Sequence, residues 1–224
     1  MIEAKNVTRT FEAPGGDVEV LRGLDLSLAD GEAVAIVGPS GSGKTTLLNL
    51  LGALDRPTDG TIAIGGQDIS SFSEDEAAAF RNRELGFVFQ QHYLLPQLSV
   101  LENVILPRLA GGWEESADET RARAVDLLEK VGLAERLNHL PYQLSGGEKL
   151  RTAVARALVN KPSLVLADEP TGSLDPKTTG TVAEMFLDLN REAGVTLVMV
   201  THNESLAGQV GKILRLEDGR LQEG

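Results

Sequence analysis

Hydrophobic and polar positions change rhythm along this chain, and each rhythm predicts an element. Residues 2–11 alternate loosely between apolar and polar. So do residues 24–28, where Leu24, Leu26 and Leu28 flank Asp25 and Ser27. Period-two alternation marks half-buried strands. A further short piece, Thr61 to Ile64, lies between turns at residues 57–60 and at Gly65-Gly66. These pieces read as an antiparallel sheet beside a second core. Residues 33–37, entered through a turn at Asp30-Gly31, form an apolar run. Leu164 to Ala167 and Thr196 to Thr201 read as apolar throughout, as strands of a parallel sheet covered on both faces require. Phe87 to Phe89 is a further strand candidate.

The pattern changes between His92 and Gln143, which reads as a small helical lobe. Leu98 to Leu109 is apolar but interrupted by Pro107, and Gly111-Gly112 breaks the chain. Ser116 with Glu119 three residues on predicts a helix start. Ala124, Leu127, Leu128 and Val131 then share one face, and Gly132 ends the helix. The acidic residues Glu114, Glu115, Asp118 and Glu119 read as its solvated beginning. A long helix follows Gly147, with Leu150, Val154, Ala157 and Leu158 on one stripe, and residues 160–162 stop it. Another helix is expected near Thr179 to Glu192. Residues 212–221, turning at Asp218-Gly219, read as a hairpin.

Composition narrows the class. The 224 residues carry a formal net charge of -12, which argues against non-specific binding to nucleic acid. The chain has no cysteine, so disulfides and thiolate metal sites are excluded. Residues 1–5 carry no basic stretch before an apolar run, so no export signal is expected. No apolar run reaches membrane-spanning length. The expectation is a cytoplasmic protein able to dock on a membrane partner.

The chemistry begins where the first apolar run ends. Gly38, Pro39, Ser40, Gly41, Ser42, Gly43, Lys44 and Thr45 match G-x-x-x-x-G-K-[ST], followed by Thr46 and the apolar residues Leu47 and Leu48. Strand, glycine loop and helix together make an anion cradle, because the loop's N–H groups and the helix N-terminus face the ligand. Lys44 is placed to reach the β- and γ-phosphates of a nucleoside triphosphate, and Thr45 to hold Mg²⁺. Asp168 and Glu169 follow a buried strand. Asp168 is the candidate metal carboxylate, and Glu169 the candidate to orient or deprotonate water. His202 follows another strand, at the sheet edge where open α/β folds bind ligands. It could hydrogen-bond the γ-phosphate. Gln90, at a similar edge, offers an amide oxygen to the metal or to water. Ser145, Gly146, Gly147 and Glu148 form a second glycine-rich turn opening a helix, hence a second anion cradle. One P-loop already covers the phosphates, so two chains sharing two nucleotides is the economical arrangement, and symmetry then asks for a dimer.

In this order, the P-loop, Gln90, the sequence Leu144 to Glu148, the strand ending at Asp168-Glu169, residues 173–175 and His202 resemble the ATP-binding-cassette (ABC) ATPases over essentially the whole chain. The turn at Ser145 is the discriminating piece. The resemblance implies one ABC ATPase domain over residues 1–224. Its expected fold class is α/β: a P-loop NTPase (RecA-like) core, an antiparallel β subdomain, and a helical subdomain inserted at about 92–150. It implies ATP and Mg²⁺ as cofactors, and a head-to-tail dimer that closes on ATP and opens after hydrolysis. It makes Glu169 the general base, His202 the γ-phosphate switch, and Gln90 the residue sensing metal and membrane partner. Ser145, Gly146, Gly147 and Glu148 then contact the ATP bound to the opposite chain, Ser145 and Gly147 at its γ-phosphate, and Ser173 and Asp175 lie at the dimer seam. Phe11 matches the position whose ring stacks on adenine; the alternative is a core Phe of the amino-terminal sheet.

Narrower stretches, residues 85–90, 92–96, 101–104 and 167–172, resemble the ATPases of lipoprotein-releasing (LolD-type) and macrolide-exporter (MacB-type) complexes, with the cell-division ATPase FtsE a near relative. That branch implies integral-membrane permease partners and a peripheral position on the inner face of the cell membrane. Lys149-Leu150 departs from the usual polar pair: Lys149 either adds a phosphate or ribose contact or is solvent-exposed and neutral. An FtsE-like cell-division ATPase is the first alternative, and a nucleic-acid-maintenance ABC ATPase the second. The latter would carry a coiled-coil or zinc insertion before the Ser145 turn, and this chain has neither.

Overall fold

The computed structural model describes residues 1–111, 115–172, 184–188, 190–191 and 194–223. Two sheets organise them. An antiparallel sheet contains β1 (Ile2–Phe11), β2 (Val18–Leu28), β4 (Asp59–Ile64) and β5 (Gln67–Asp68), in the order β2-β1-β4-β5. A six-stranded sheet contains β3 (Ala33–Val37), β6 (Leu85–Phe89), β7 (Leu164–Asp168), β8 (Thr196–Val200), β9 (Lys212–Glu217) and β10 (Arg220–Glu223), in the order β10-β9-β3-β8-β7-β6. Its pairs are parallel except β9 with β10.

Side-chain alternation explains why the central strands are apolar between their ends. In β3, Val34 and Ile36 pack into the core shared with the antiparallel sheet and α1 (Lys44–Leu51). Ala35 and Val37 face the other way, toward Leu150, Val154 and Ala157 of α5 (Gly146–Leu158). Both faces of these strands are therefore covered, and their inner positions take apolar residues. In the antiparallel sheet, Leu24, Leu26 and Leu28 of β2 point inward while Asp25 and Ser27 stay exposed.

A third apolar cluster joins α3 (Val100–Leu109), α4 (Ala117–Lys130) and one flank of α5 through Val104, Ala124, Leu128 and Ala155. Ser116 caps α4 with the expected box: its hydroxyl accepts from the Glu119 amide, and Glu119 returns the bond to the Ser116 amide. Pro107 sits inside the last turn of α3 rather than breaking the segment. The acidic start of α4 is not uniformly solvated. The Glu115 carboxylate lies between the guanidinium groups of Arg108 and Arg123 and ties α3 to α4. Glu114 lies outside the described residues, as does half of the helix expected near Thr179 to Glu192, of which residues 184–188 and 190–191 are helical. Two helices go beyond the expectation: α2 (Glu74–Glu84) and α6 (Glu204–Val210).

Candidate nucleotide site at the carboxyl edge of the parallel sheet

Four neighbouring parallel strands end at one edge, and each ends in a candidate residue. β3 runs into the P-loop, β8 into Thr201 and His202, β7 into Asp168 and Glu169, and β6 into Gln90. This edge is where an open α/β sheet binds ligands.

Backbone geometry shapes the P-loop. A Cβ on Gly38 would stand 2.2 Å from the Leu216 carbonyl oxygen, so only glycine fits that close approach. Gly43, at φ 101°, is the N-cap of α1, and no side chain caps the helix. Its first turn holds no acidic residue. The helix therefore presents uncapped N–H groups and the positive end of its dipole. Lys44 Nζ donates to the carbonyl oxygens of Gly38 and Pro39 at 2.8 and 2.9 Å, so its ammonium is held within the curl of the loop.

Thr45 donates its hydroxyl to Asp168 Oδ2 at 3.4 Å. The other carboxylate oxygen, Asp168 Oδ1, is buried and has no hydrogen-bond partner. Burial first, and the adjacent Glu169 charge second, push the Asp168 carboxyl above its ordinary range. An orphaned carboxylate oxygen beside a hydroxyl is a donor set suited to a hard divalent cation. Gln90 is exposed and packs over Gly172, where an added Cβ would meet its Nε2 at 2.7 Å.

Glu169 adopts φ 44°, uncommon for a residue with a side chain. Its Oε2 accepts from the Thr201 hydroxyl at 3.1 Å and from the His202 amide at 3.2 Å. Its Oε1 lies 2.9 Å from His202 Nδ1. The two catalytic candidates are thus joined to each other.

The Ser145 turn is built separately. Ser145 caps α5, and Glu148 returns the bond, accepting from the Ser145 amide and hydroxyl at 2.8 Å each. Arg136 Nε lies 3.0 Å from Glu148 Oε1. These bonds hold the Glu148 carboxyl down to about 2, the Ser145 amide and hydroxyl contributing most. Ser145 and Gly146 are exposed, and none of the described hydrogen bonds links the turn to the P-loop. Phe11 is exposed rather than a core residue, and the Arg9 guanidinium carbon lies 4.4 Å from its ring centre. Lys149 is half-buried near His92, whose imidazole is held neutral-leaning chiefly by burial. Ser173 and Asp175 lie outside the described residues.

Two residues have a role that the sequence pattern does not assign. Thr201 is a polar residue closing an apolar strand, a signal that was available. Arg156 donates to the carbonyl oxygens of His92 and Tyr93 at 2.6 and 2.7 Å, holding two successive residues at positive φ. Only the fold brings those groups together.

The class is set by the P-loop, the strand-end carboxylates and the second glycine turn, and comparison with known proteins agrees. The family described as "ABC transporter" matches residues 21–172, and this chain belongs to it. It is a nucleotide-binding ATPase of that family, with the ABC ATPase fold. More particularly, it is 49% identical over 221 residues to the lipoprotein-releasing system ATP-binding protein LolD of Syntrophus aciditrophicus, covering 99% of this chain and 98% of that protein. It is 52% identical over 223 residues to LolD of Xanthomonas campestris pv. campestris (strain 8004), covering 100% and 92%. Among solved structures, the cassette MJ0796, as a dimer in a post-hydrolysis state bound to ADP and Pi, superposes with a TM-score of 0.90. That cassette is 41% identical, with coverage of 100% of this chain and 98% of the other. No described helix is long and apolar enough to cross a membrane.

Proposed function

We propose that this chain is the ATP-hydrolysing subunit of a lipoprotein-releasing ABC transporter. It works as one domain over residues 1–224, whose helical part, at about 92–150, moves against the nucleotide core. Two copies close head-to-tail on two ATP molecules and drive a conformational change in integral-membrane permease subunits. The chain sits on the inner face of the cell membrane through that permease. The observation that carries this reading is the pair of separate anion cradles. The P-loop gathers with Asp168, Glu169 and His202, while the Ser145 turn stands exposed, with no hydrogen bond to the P-loop among the described residues. A turn built to meet phosphate, yet facing outward, is completed by a second copy. Near-full-length likeness to LolD proteins supports the lipoprotein branch.

Lys44 leaves the Gly38 and Pro39 carbonyls for the β- and γ-phosphates, and the uncapped start of α1 takes the remaining negative charge. Thr45 and Asp168, with Gln90, would hold Mg²⁺, which when bound neutralises phosphate charge. Phe11 offers its exposed ring to adenine. Ser145, Gly146 and Gly147 meet the γ-phosphate held by the partner copy, while Glu148 fixes that turn through its cap. Ser173 and Asp175 belong to the seam. Glu169 orients and deprotonates water, a function typically worth about 10²–10⁴ in rate. His202 exchanges the Glu169 carboxylate for the γ-phosphate as the two copies close.

Co-expression with a candidate permease tests the assignment. Co-purification of a membrane complex whose ATP hydrolysis releases lipoprotein from proteoliposomes supports it. ATP hydrolysis by such a complex with lipoprotein left in the bilayer contradicts it.

A further inference from the structure

We propose that Thr201 is a positioning residue for hydrolysis: its hydroxyl anchors Oε2 of Glu169 and leaves Oε1 as the oxygen that works on water. The inference rests on the reading of Glu169 as general base and adds a division of labour between its two oxygens.

The two oxygens are held by donors of different kinds. Oε2 accepts from the Thr201 hydroxyl and from the His202 backbone amide. Neither donor is free to leave. Thr201 is fully buried, and its own amide donates to the Ile36 carbonyl in neighbouring β3 at 3.1 Å. Its hydroxyl oxygen also accepts from the Asn203 amide at 3.1 Å, and Asn203 caps α6 by accepting from the Leu206 amide. The hydroxyl proton therefore has one productive direction, toward Glu169. Oε1, by contrast, is held by the imidazole of His202, whose side chain is 70% exposed.

A turn of that exposed ring releases Oε1 alone, and Oε2 stays on the sheet. Glu169 then meets water with one oxygen fixed and one vacant. Oε1 takes a proton from water, the water oxygen bonds to the γ-phosphorus, and the bond from that phosphorus to the bridging oxygen breaks, its electron pair leaving with ADP. Without the Thr201 hydroxyl, Oε2 keeps only the His202 amide, and the carboxylate, already at φ 44°, loses its buried anchor. Misplacement of a reacting group by about 1 Å can cost on the order of 10²-fold.

The test uses Thr201→Val, nearly isosteric but without the hydroxyl, together with Thr201→Ala and Thr201→Ser, each alone and combined with Glu169→Gln. Steady-state ATPase gives kcat and KM, single-turnover hydrolysis gives the residual rate in the Gln background, and a fluorescent ATP analogue gives affinity. The expected result for Val and Ala is a kcat lowered about 10- to 100-fold with affinity changed less than about twofold. Ser is expected to restore most of the rate. On the Gln background, Val is expected to add no further loss, because the group it positions is gone. An equal loss by Val in both backgrounds marks a merely structural role and overturns the proposal, as does a parental kcat in Val and Ala. A parental rate in Glu169→Gln alone overturns the base assignment itself. A slow Glu169→Gln beside a parental Thr201→Val overturns only the role of Thr201.

Discussion

The Thr45 hydroxyl stands 3.4 Å from Asp168 Oδ2, joining the first turn of α1 to the end of β7 across 123 positions of chain. The same carboxylate leaves its other oxygen buried and unpartnered, and its carboxyl is held above the ordinary 3.8 by burial and by Glu169. A raised folded-state value means that the charged form costs the folded chain free energy. That cost is absent below pH 3.8 and grows as pH rises through the folded-state value. Asp168→Asn is therefore expected to raise the melting temperature of the nucleotide-free chain at pH 7, by about 2–4 °C per kcal/mol relieved, and not at pH 3. The same variant is expected to lose Mg²⁺-dependent ATP hydrolysis. Calorimetry at both pH values, with an ATPase assay, checks the pair of outcomes.

Lys44 supplies the two charge-assisted bonds that hold the Gly38 and Pro39 carbonyls. Lys44→Ala is expected to weaken ATP binding by about 10²-fold or more, since hydrogen bonds to charged groups contribute about 1.5–3 kcal/mol each. Titration calorimetry with ATP reads this directly, and unchanged affinity would remove the phosphate role.

The Ser145 cap and the Glu148 carboxylate act together. Ser145→Ala is expected to cost about 1 kcal/mol of stability, as lost N-caps do. The depressed Glu148 carboxyl, about 2 against 4.5, contributes stability that is present above pH 4.5 and lost as pH falls toward 2. Glu148→Gln should thus destabilise the chain at pH 7 and matter little near pH 2. Urea denaturation at the two pH values tests the sign.

Arg156 pins the loop after Gln90 to α5, the helix that begins at the Ser145 turn. His92 and Tyr93 sit at φ 58° and 45°, conformations that persist only when the surroundings hold them. Arg156→Ala is expected to lower stability by about 2 kcal/mol or more and to open residues 91–98 to limited proteolysis. Arg156→Lys should recover part of the loss, because one ammonium can reach a carbonyl but lacks the fork that spans two.

The Phe11 ring is 40% exposed and has the Arg9 guanidinium close by. Base–aromatic stacking contributes about 1–3 kcal/mol, so Phe11→Ala is expected to weaken ATP binding by about 10-fold. Competition with inorganic triphosphate separates this from the P-loop: its affinity should not change.

Much of this architecture was legible in the pattern of residues, for a physical reason. Strands buried on both faces must be largely apolar, so a sudden Asp168-Glu169, or His202 after a buried strand, marks the edge where the sheet stops being core. The P-loop was legible because the steric demand at Gly38 and the left-handed backbone at Gly43 leave glycine little competition. What escaped depends on contacts between distant segments. The capping pair Ser73 and Glu76 was available for α2, yet only Ala77 and Phe80 of that helix are buried, too sparse a stripe to show a helical period. Residues 212–221 do form a hairpin, but their alternation concealed that β9 also pairs in parallel with β3. Glu115 looked solvated because its partners, Arg108 and Arg123, lie on separate helices. Phe11 left two readings open, and only its exposure removed the core alternative.

Light scattering on Glu169→Gln with Mg²⁺ and ATP bears most directly on the shared nucleotide site. The expected result is twice the mass of one chain, two ATP retained per pair, and return to single chains when Ser145→Arg is added. A single chain that holds ATP at full affinity under the same conditions, unaffected by the Ser145 change, would contradict the shared site.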